Sequence, residues 1–140
     1  MVGRQQGFTL MEILVAIIVL GVLGALVLPT YLGAQKRPYD AAALECGRAI
    51  IEGQEMYKVA RTTYLGGPYT GLSTDVTLRC QGLQVHPFVN GFTPTATATG
   101  NGNVLADRGG YAFWVWHQQG SAAYYTSTWN NNRLEELASW

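Results

Sequence analysis

The chain has 140 residues, of which 48% are hydrophobic and only 13% are charged. Its nine basic and nine acidic side chains cancel, so a nucleic-acid partner is allowed but gains no support from charge, because proteins that bind nucleic acids cluster Lys and Arg. A chain of this length suits one small domain with a helical extension.

The longest apolar segment lies near the N-terminus, where residues 13–35 carry no charged side chain. A helix rises about 1.5 Å per residue, so this segment would reach roughly 35 Å, enough to cross a hydrocarbon core about 30 Å thick. A short polar leader containing Arg4 precedes it, which is the layout of a membrane-inserted signal with its positive end inside. Glu12 is unusual there, because a carboxylate at the bilayer centre costs about 2.5–3.5 kcal/mol.

The run Gly7-Phe8-Thr9-Leu10-Met11-Glu12 resembles the processing motif of type IV prepilins and type II pseudopilins, and the chain most resembles a type IV pilin. The resemblance implies cleavage between Gly7 and Phe8 by a prepilin peptidase, with N-methylation of the new N-terminal Phe8. It also implies that Glu12 pairs its charge with the amino group of Phe8, in a neighbouring subunit or in the same chain. An unpaired ammonium buried in a helical bundle would be costly.

The same resemblance implies three parts: a leader peptide over residues 1–7, an apolar helix over 8–35 and a globular head over 36–140. The apolar helix would lie in membrane lipid before assembly and in the core of a helical, homo-oligomeric filament afterwards. The implied partners are the prepilin peptidase and the pilus assembly machinery of the bacterial inner membrane. The precursor is expected in that membrane, and the assembled pilus outside the cell.

Three residues that weaken a helix, Gly21, Gly24 and Pro29, lie within nine positions of the apolar segment. Glycine costs up to about 1 kcal/mol and proline about 3 kcal/mol relative to alanine in a helix interior. In the family this region can lose its helical hydrogen bonds on entering the filament, and the resemblance assigns that behaviour to residues 21–29. Glycines that let membrane helices pack closely are an alternative interpretation, and both can hold.

Pro38 predicts a bend between the apolar half of the long helix and its second, amphipathic half over residues 39–62. The charged residues of this stretch recur at intervals of three and four, which predicts a solvated or subunit-facing surface opposite an apolar face. The apolar positions are Ala43, Cys46, Ala49, Ile50, Tyr57 and Ala60.

The two cysteines, Cys46 and Cys80, predict one disulfide, because an even count in an exported domain indicates oxidation. Two free buried thiols are the alternative. Val76, Leu78 and Cys80 alternate with polar residues, which predicts a half-buried strand over residues 75–80. Since Cys46 falls on the apolar side of its helix, we expect the two sulfurs to meet across the helix–sheet interface.

The rest of the chain predicts an α+β fold in which the long helix packs on an antiparallel sheet of about four strands. Further strands are predicted at residues 83–88, 111–117 and 123–129. Two runs stay open: 93–99 as edge strand or loop, and 133–140 as strand or short helix. Turns are predicted at Asn90-Gly91 and at residues 100–103, 107–110 and 130–132.

No catalytic, cofactor-binding or metal-binding set of residues stands out. The glycines of residues 100–103 lack the spacing of a phosphate loop, and Glu135 and Glu136 are adjacent rather than facing. His86 and His117 show no ligand spacing to the cysteines, so both are predicted to be structural. The C-terminal aromatic residues predict core and strand-pairing positions, with an exposed sugar- or surface-binding patch as the alternative: Trp114, Trp116, Tyr124, Tyr125 and Trp129.

The resemblance therefore implies a structural, non-enzymatic subunit of a type IV pilus, and it leaves open whether the task of that pilus is twitching motility, DNA uptake, adhesion or secretion. A pseudopilin of a type II secretion system and a minor pilin of a DNA-uptake pilus are alternatives in the same superfamily. A membrane-anchored adhesion or binding domain that never polymerises is an alternative of another class.

Overall fold

A computed structural model describes residues 9–89, 92–107 and 109–140, with the backbone alone for residues 29 and 32. The chain divides into two compact units, one that extends to Gln35 and a head from Lys36 to Trp140. Helix α1, Leu10–Arg61, contributes to both units and has 52 residues. The predicted turn at Asn90-Gly91 and the predicted cleavage site between Gly7 and Phe8 lie outside the described residues.

The first unit is the apolar part of α1. It begins at a capping residue, Thr9, whose Oγ1 accepts a hydrogen bond from the backbone N–H of Glu12 at 3.3 Å. In the described part of the chain, α1 alone is long and apolar enough to cross a membrane, with an 18-residue window of mean hydropathy 2.8 and none of that window buried.

In the head, α1 is amphipathic as far as Gln54, as the three-and-four spacing predicts, but of the predicted apolar positions Tyr57 is only half-buried and Ala60 is exposed. Its buried residues are Ala43, Cys46, Gly47, Ala49, Ile50, Gly53 and Gln54. The helix runs without a break through Pro38 and ends at Arg61, one residue before the predicted end. Thr62 then takes a left-handed φ of 60°, and its N–H bonds to the Lys58 carbonyl. A bend at Pro38 stays a prediction.

The predicted strand over residues 75–80 is wrong, because Thr74–Arg79 form a short helix, α2. Ser73 caps this helix through its Oγ, which accepts from the Val76 N–H at 3.2 Å. Asp75 and Arg79 form an i,i+4 ion pair at 2.9 Å. Val76 and Cys80 are four residues apart, so they share the buried face of a helix, and the apparent two-residue alternation was a coincidence of a short window.

The antiparallel sheet has six strands, whereas about four were predicted. A long helix packed on an antiparallel sheet confirms the predicted α+β class. The strands are β1 Gly67–Pro68, β2 Gln84–Pro87, β3 Asn103–Ala106, β4 Tyr111–Trp116, β5 Ala122–Ser127 and β6 Glu135–Ser139. Their order is β1-β3-β4-β5-β6, and β2 also pairs with β4. The first residues of β4 pair with β3 and the later ones with β2, while β5 pairs with β4 along most of its length.

Three of the strand predictions, at residues 83–88, 111–117 and 123–129, correspond to β2, β4 and β5. Of the two open runs, 133–140 contains β6, and 93–99 is a loop with a turn closed by the Ala98 N–H on the Thr95 carbonyl. Strands β1 and β3 were not predicted. Each lies beside glycine-rich turn sequence and contributes at most two ladder pairs per neighbour, too short a run to show a period.

The sheet buries both of its faces. The inner face of β4 and β5 packs on α1 with Phe113, Val115 and Ala122. The outer face carries a second cluster around Trp114, Trp116 and Ala123. The residues packed against this outer cluster are Phe88, Phe92, Ala98, Tyr125, Ala138 and Trp140. Strand β4 is therefore central, as its unbroken apolar run predicts.

Candidate functional site

The apolar part of α1 presents its large side chains to the surroundings. The large apolar residues exposed between Leu10 and Tyr31 each have a relative solvent exposure of at least 49%, and that of Leu10 is 91%. Apolar surface of this extent is unusual on a protein that works alone in water, and it marks a site for lipid or for another protein.

The glycines of this segment have no packing reason within the chain. A Cβ added to Gly21 or Gly24 would meet no atom within 4 Å. Pro29 lies inside the helix, where proline removes a backbone donor. Among the described residues, no contact therefore accounts for the glycines at positions 21 and 24.

Glu12 is exposed in the first turn of α1, at the third helical position after the cap. The positive end of the helix dipole favours an acid there. The Thr9-x-x-Glu12 pattern is a capping signature that sequence reasoning missed, although the motif itself would have shown it. The ion pairs of the described residues join Arg79 to Glu45 and Asp75 and do not include Glu12. Phe8, its predicted partner, lies outside those residues.

The predicted disulfide is confirmed. Cys46 and Cys80 are bonded, with their Cα atoms 4.8 Å apart, and both are fully buried. The bond joins α1 to the C-terminal end of α2 rather than to a strand, so the partner element differs from the prediction while the pairing holds.

The head holds the first turns of its helix through a group of contacts that we call the clamp: Lys36, Tyr39, Asp40, His117, Gly120, Ser121 and Trp140. The Asp40 carboxylate accepts from the Ser121 N–H at 2.8 Å and from its hydroxyl. The Tyr39 ring stacks on His117 with centroids 4.4 Å apart. Lys36 Nζ donates to the Trp140 carbonyl at 3.3 Å.

Both histidines occupy structural positions. His117 Nδ1 accepts from the Gln119 N–H at 3.0 Å, and His86 stacks on Phe92 with centroids 3.9 Å apart. Among the described residues, no three His, Cys, Asp or Glu side chains are placed to hold a metal ion.

A buried side-chain amide, which the sequence analysis did not identify, fixes the loop after α1. Gln54 is fully buried, donates to the Leu65 carbonyl and accepts from the Leu65 N–H, each at 2.8 Å. Its only signal was a polar residue inside the apolar stripe. One turn later Lys58 donates to the Tyr64 hydroxyl at 2.8 Å, and this hydrogen bond raises the pKa of Lys58.

The aromatic residues divide into core and surface. Trp114, Trp116 and Tyr124 are buried and Tyr125 is half-buried, which fits a core role. Trp129 is 74% exposed and lines a shallow pocket of about 90 Å³. The adjacent Glu135 and Glu136 are exposed on β6.

Comparison with known proteins agrees with the N-terminal features. Residues 3–28 match the prokaryotic N-terminal methylation motif. Over 125 residues the chain is 26% identical to the type IV wide pilus major component PilA4 of Thermus thermophilus, which covers 89% of this chain and 90% of the relative.

A second group of relatives consists of type II secretion system core protein G. The protein of Klebsiella pneumoniae is 42% identical over 62 residues, and that of Dickeya chrysanthemi is 39% identical over 61 residues. These matches span 44% and 40% of the respective relatives, so the chain covers less than half of their length. The motif and both groups of relatives therefore match the superfamily that contains type IV pilins and type II secretion pseudopilins.

Proposed function

We propose that the chain is a structural subunit of a type IV pilus, processed by a prepilin peptidase and assembled through its apolar N-terminal helix. The observation that supports this best is the extent of the similarity to PilA4, which includes the head as well as the helix. Matches to core protein G stop at 44% of this chain.

The exposed apolar surface supplies the driving force for assembly. Once the segment leaves lipid, its side chains must be covered again, since apolar area in water costs roughly 25 cal/mol per Å². Helices of neighbouring subunits provide that cover. Gly21 and Gly24, which have no packing partner within the chain, allow neighbouring helices to approach closely.

Glu12 gives this association its register. Cleavage after Gly7 leaves a free amino group on Phe8, and moving that charge into a bundle of apolar helices is costly unless an opposite charge meets it. Glu12 is exposed on the same end of the helix and makes none of the described ion pairs. It is therefore available to the amine of a neighbour or of its own chain.

The head forms the outer coat of the filament and turns over no substrate. Its stability comes from its own two apolar clusters and its disulfide, so it needs no neighbour to fold. The precursor resides in the bacterial inner membrane, where the peptidase and the assembly machinery act on it, and the mature subunit ends in a fibre at the cell surface.

A second candidate is a pseudopilin of a type II secretion system. The identity to core protein G, 39–42% in the two proteins described, is higher than that to PilA4, although it spans fewer residues. In that case the same helix and the same charge pair would build a short periplasmic filament instead of a surface fibre.

Deletion of the gene in its native host separates the two candidates. For a pilus subunit, electron microscopy shows loss of surface fibres, and complementation restores them. Mass spectrometry of sheared fibres finds this chain beginning at Phe8. Normal fibres together with exported enzymes retained in the periplasm would contradict the pilus and favour the pseudopilin. An intact Met1 terminus on the fibre-borne chain would contradict the processing step.

A further inference from the structure

Trp129 is the large aromatic side chain that the head leaves in solvent, with 74% of its surface exposed. The other aromatic residues considered for a surface patch are buried or half-buried: Trp114, Trp116, Tyr124 and Tyr125. A buried tryptophan is among the largest apolar contributions that one side chain makes to folding. At position 129 the head forgoes that contribution, so the indole ring is available to something outside the chain.

The turn that carries Trp129 is fixed on both sides. The Ser127 N–H donates to Asn130 Oδ1 at 3.0 Å, and the Asn130 N–H donates to Ser127 Oγ at 3.3 Å. Asn131 then takes a left-handed φ of 57°, and Asn130 Nδ2 donates to the Arg133 carbonyl at 2.9 Å. These contacts hold the indole outward without using its own ring.

A pocket of about 90 Å³ lies beside the indole ring. Leu105, Ala106 and Ala112 contribute apolar walls to it. A cavity of about 150 Å³ holds a benzene ring, so this pocket takes a smaller apolar group. Sites for small molecules combine a mainly apolar lining with a few placed polar groups, and the pocket has one such group in Asp107.

Asp107 presents one unused acceptor to the pocket. Its Oδ1 accepts from the Gly109 N–H at 2.7 Å and from the Gly110 N–H at 2.8 Å, whereas Oδ2 accepts no hydrogen bond from the described residues. A Cβ at Gly110 would collide with Thr128 Oγ1, so this hairpin lies directly against the turn that carries Trp129. Asp107 is also the single charged side chain among the described residues of the lining, and it disfavours an anion such as a phosphate.

We propose that Trp129, the pocket and Asp107 bind N-acetylated hexosamine sugars. The C–H face of the sugar ring stacks on the indole, the acetyl methyl group enters the apolar pocket, and the amide N–H donates to Asp107 Oδ2. Such a sugar carries all three complementary groups close together. The site lies within the head, so it is the same for a pilus and for a pseudopilus.

Two other classes of ligand use less of this site. A neutral hexose without the acetamido group would stack on the indole but would leave both the pocket and the carboxylate unoccupied. An organic cation would sit over the indole and pair with Asp107, but it would leave the apolar pocket empty.

Three trimers with the same β-1,4-linked ring separate these classes: those of N-acetylglucosamine, glucose and glucosamine. Saturation-transfer NMR with the detergent-solubilised full chain measures their binding. We expect the N-acetylglucosamine trimer to bind at least about tenfold more tightly than the glucose trimer, because it adds a buried methyl group and a hydrogen bond to a charged acceptor. Its acetyl methyl protons should receive the strongest transfer.

The same measurement can overturn the proposal. Equal affinities for the N-acetylglucosamine and glucose trimers would show that the pocket and Asp107 take no part. Tightest binding of the glucosamine trimer would show a cation site instead. Absence of binding by all three trimers would leave no sugar site.

Variants assign the roles of the two side chains. Trp129→Ala should abolish binding while leaving the urea unfolding midpoint unchanged, since the ring is exposed. Asp107→Asn keeps an oxygen for the two glycine N–H groups but places an amide donor at the position of Oδ2. It should weaken binding of the N-acetylglucosamine trimer about tenfold and leave that of the glucose trimer unchanged.

Exposed positions elsewhere on the head provide matched controls. Leu78→Ala truncates an apolar side chain and Glu135→Gln removes a carboxylate, and both should bind all three trimers as wild type does. Binding of the N-acetylglucosamine trimer that survives in Trp129→Ala would contradict the site.

Two polymers carry this chemistry, peptidoglycan in the cell envelope and chitin outside the cell. Co-sedimentation of the full chain with purified peptidoglycan and with chitin particles distinguishes them, because the polymer that supplies the ligand should retain wild type and release Trp129→Ala. Equal retention of the two proteins on both polymers would count against the site. Fibre formation in the same strains tests the filament function separately.

Discussion

The apolar part of α1 and the head contain similar apolar side chains, which are exposed in the first region and buried in the second. In the head, Trp116, Phe113 and Ile50 are fully buried, with relative exposures of 0%. In the segment that ends at Gln35, leucines, isoleucines and valines of comparable size are about half exposed or more. The two regions therefore differ in where their apolar side chains are covered: the head covers them within one chain, whereas the helix segment leaves them exposed to lipid or to another protein.

The glycines of the two regions differ in the space around them. A Cβ at Gly47 would press on Leu134, with the nearest atom at 2.8 Å, and one at Gly53 would press on Val76 at 3.1 Å. A Cβ at Gly21 or Gly24 would meet nothing within 4 Å. The head uses glycine where its own elements approach closely, whereas no described residue lies that close to Gly21 or Gly24.

The largest expected effect separates the two regions by function. Glu12→Ala should leave the protein in the membrane but reduce its recovery in sheared fibres by at least about a hundredfold. The reason is that an unpaired buried ammonium costs about 3–5 kcal/mol, and each 1.4 kcal/mol is about tenfold. Quantitative immunoblots of fibre and membrane fractions measure it. The control is Glu52→Ala, which removes an exposed acid of the head. If Glu12→Ala were recovered in fibres as well as wild type, the proposed charge pair would be wrong.

The next effect concerns stability of the head. Replacing Cys46 and Cys80 together with alanine should lower the free energy of unfolding by about 3–4 kcal/mol, because the bond closes a loop with a separation of 34 residues. Urea unfolding of the detergent-solubilised chain, followed by tryptophan fluorescence, measures the loss. Leu78→Ala, on the exposed side of α2, should change it little. A double variant as stable as wild type would show that the clusters alone carry the head.

A smaller effect is expected at the loop after α1. Gln54→Met keeps the volume of the side chain but leaves the Leu65 N–H and carbonyl without their partner, so we expect a loss of about 1–3 kcal/mol in the same unfolding assay. Gln81→Met, at an exposed position, is the control. Equal stability of the two variants would mean that water replaces the buried amide.

The smallest effect at neutral pH is expected for Tyr111→Phe. The Tyr111 hydroxyl has no hydrogen-bond partner in the described part of the chain, so removing it should change stability by less than about 1 kcal/mol. Burial raises the pKa of Tyr111, with smaller contributions from Glu55 and Tyr64. The ordinary pKa of a tyrosine is 10.0, so the unfolded chain loses this proton above pH 10.0, whereas the folded chain keeps it.

The contribution of Tyr111 to the free energy of unfolding is therefore present below pH 10.0 and is lost as the pH rises towards the pKa of Tyr111 in the folded chain. Across this alkaline range, the free energy of unfolding should fall less steeply with pH in Tyr111→Phe than in wild type. The two slopes should differ by up to about 1.4 kcal/mol per pH unit. Tyr69→Phe is the control. Parallel curves for wild type and Tyr111→Phe would contradict the effect of burial.

The features that the sequence predicts well are long or chemically specific. The apolar run, the N-terminal methylation motif and the three-and-four spacing each extend over enough residues to exclude other patterns, and the strands with unbroken aromatic runs were predicted correctly. The two cysteines were paired correctly because only one intramolecular pairing exists.

The features that it misses are short or tertiary. Residues 74–79 span too few positions to distinguish a period of two from one of 3.6, and the cap at Ser73 decided the outcome. The role of Gln54 depends on Leu65, eleven residues away, and the clamp joins Asp40 to Ser121, which no local pattern can show.

The clamp gives the head a mechanical property. A pull on α1 that enters the head at Lys36 reaches the β4–β5 turn through Tyr39 and Asp40 before it reaches the rest of the helix. The covalent bond at Cys46 follows two turns further on. Tension on the helix is therefore shared between helix and sheet from the point of entry, before it reaches the disulfide.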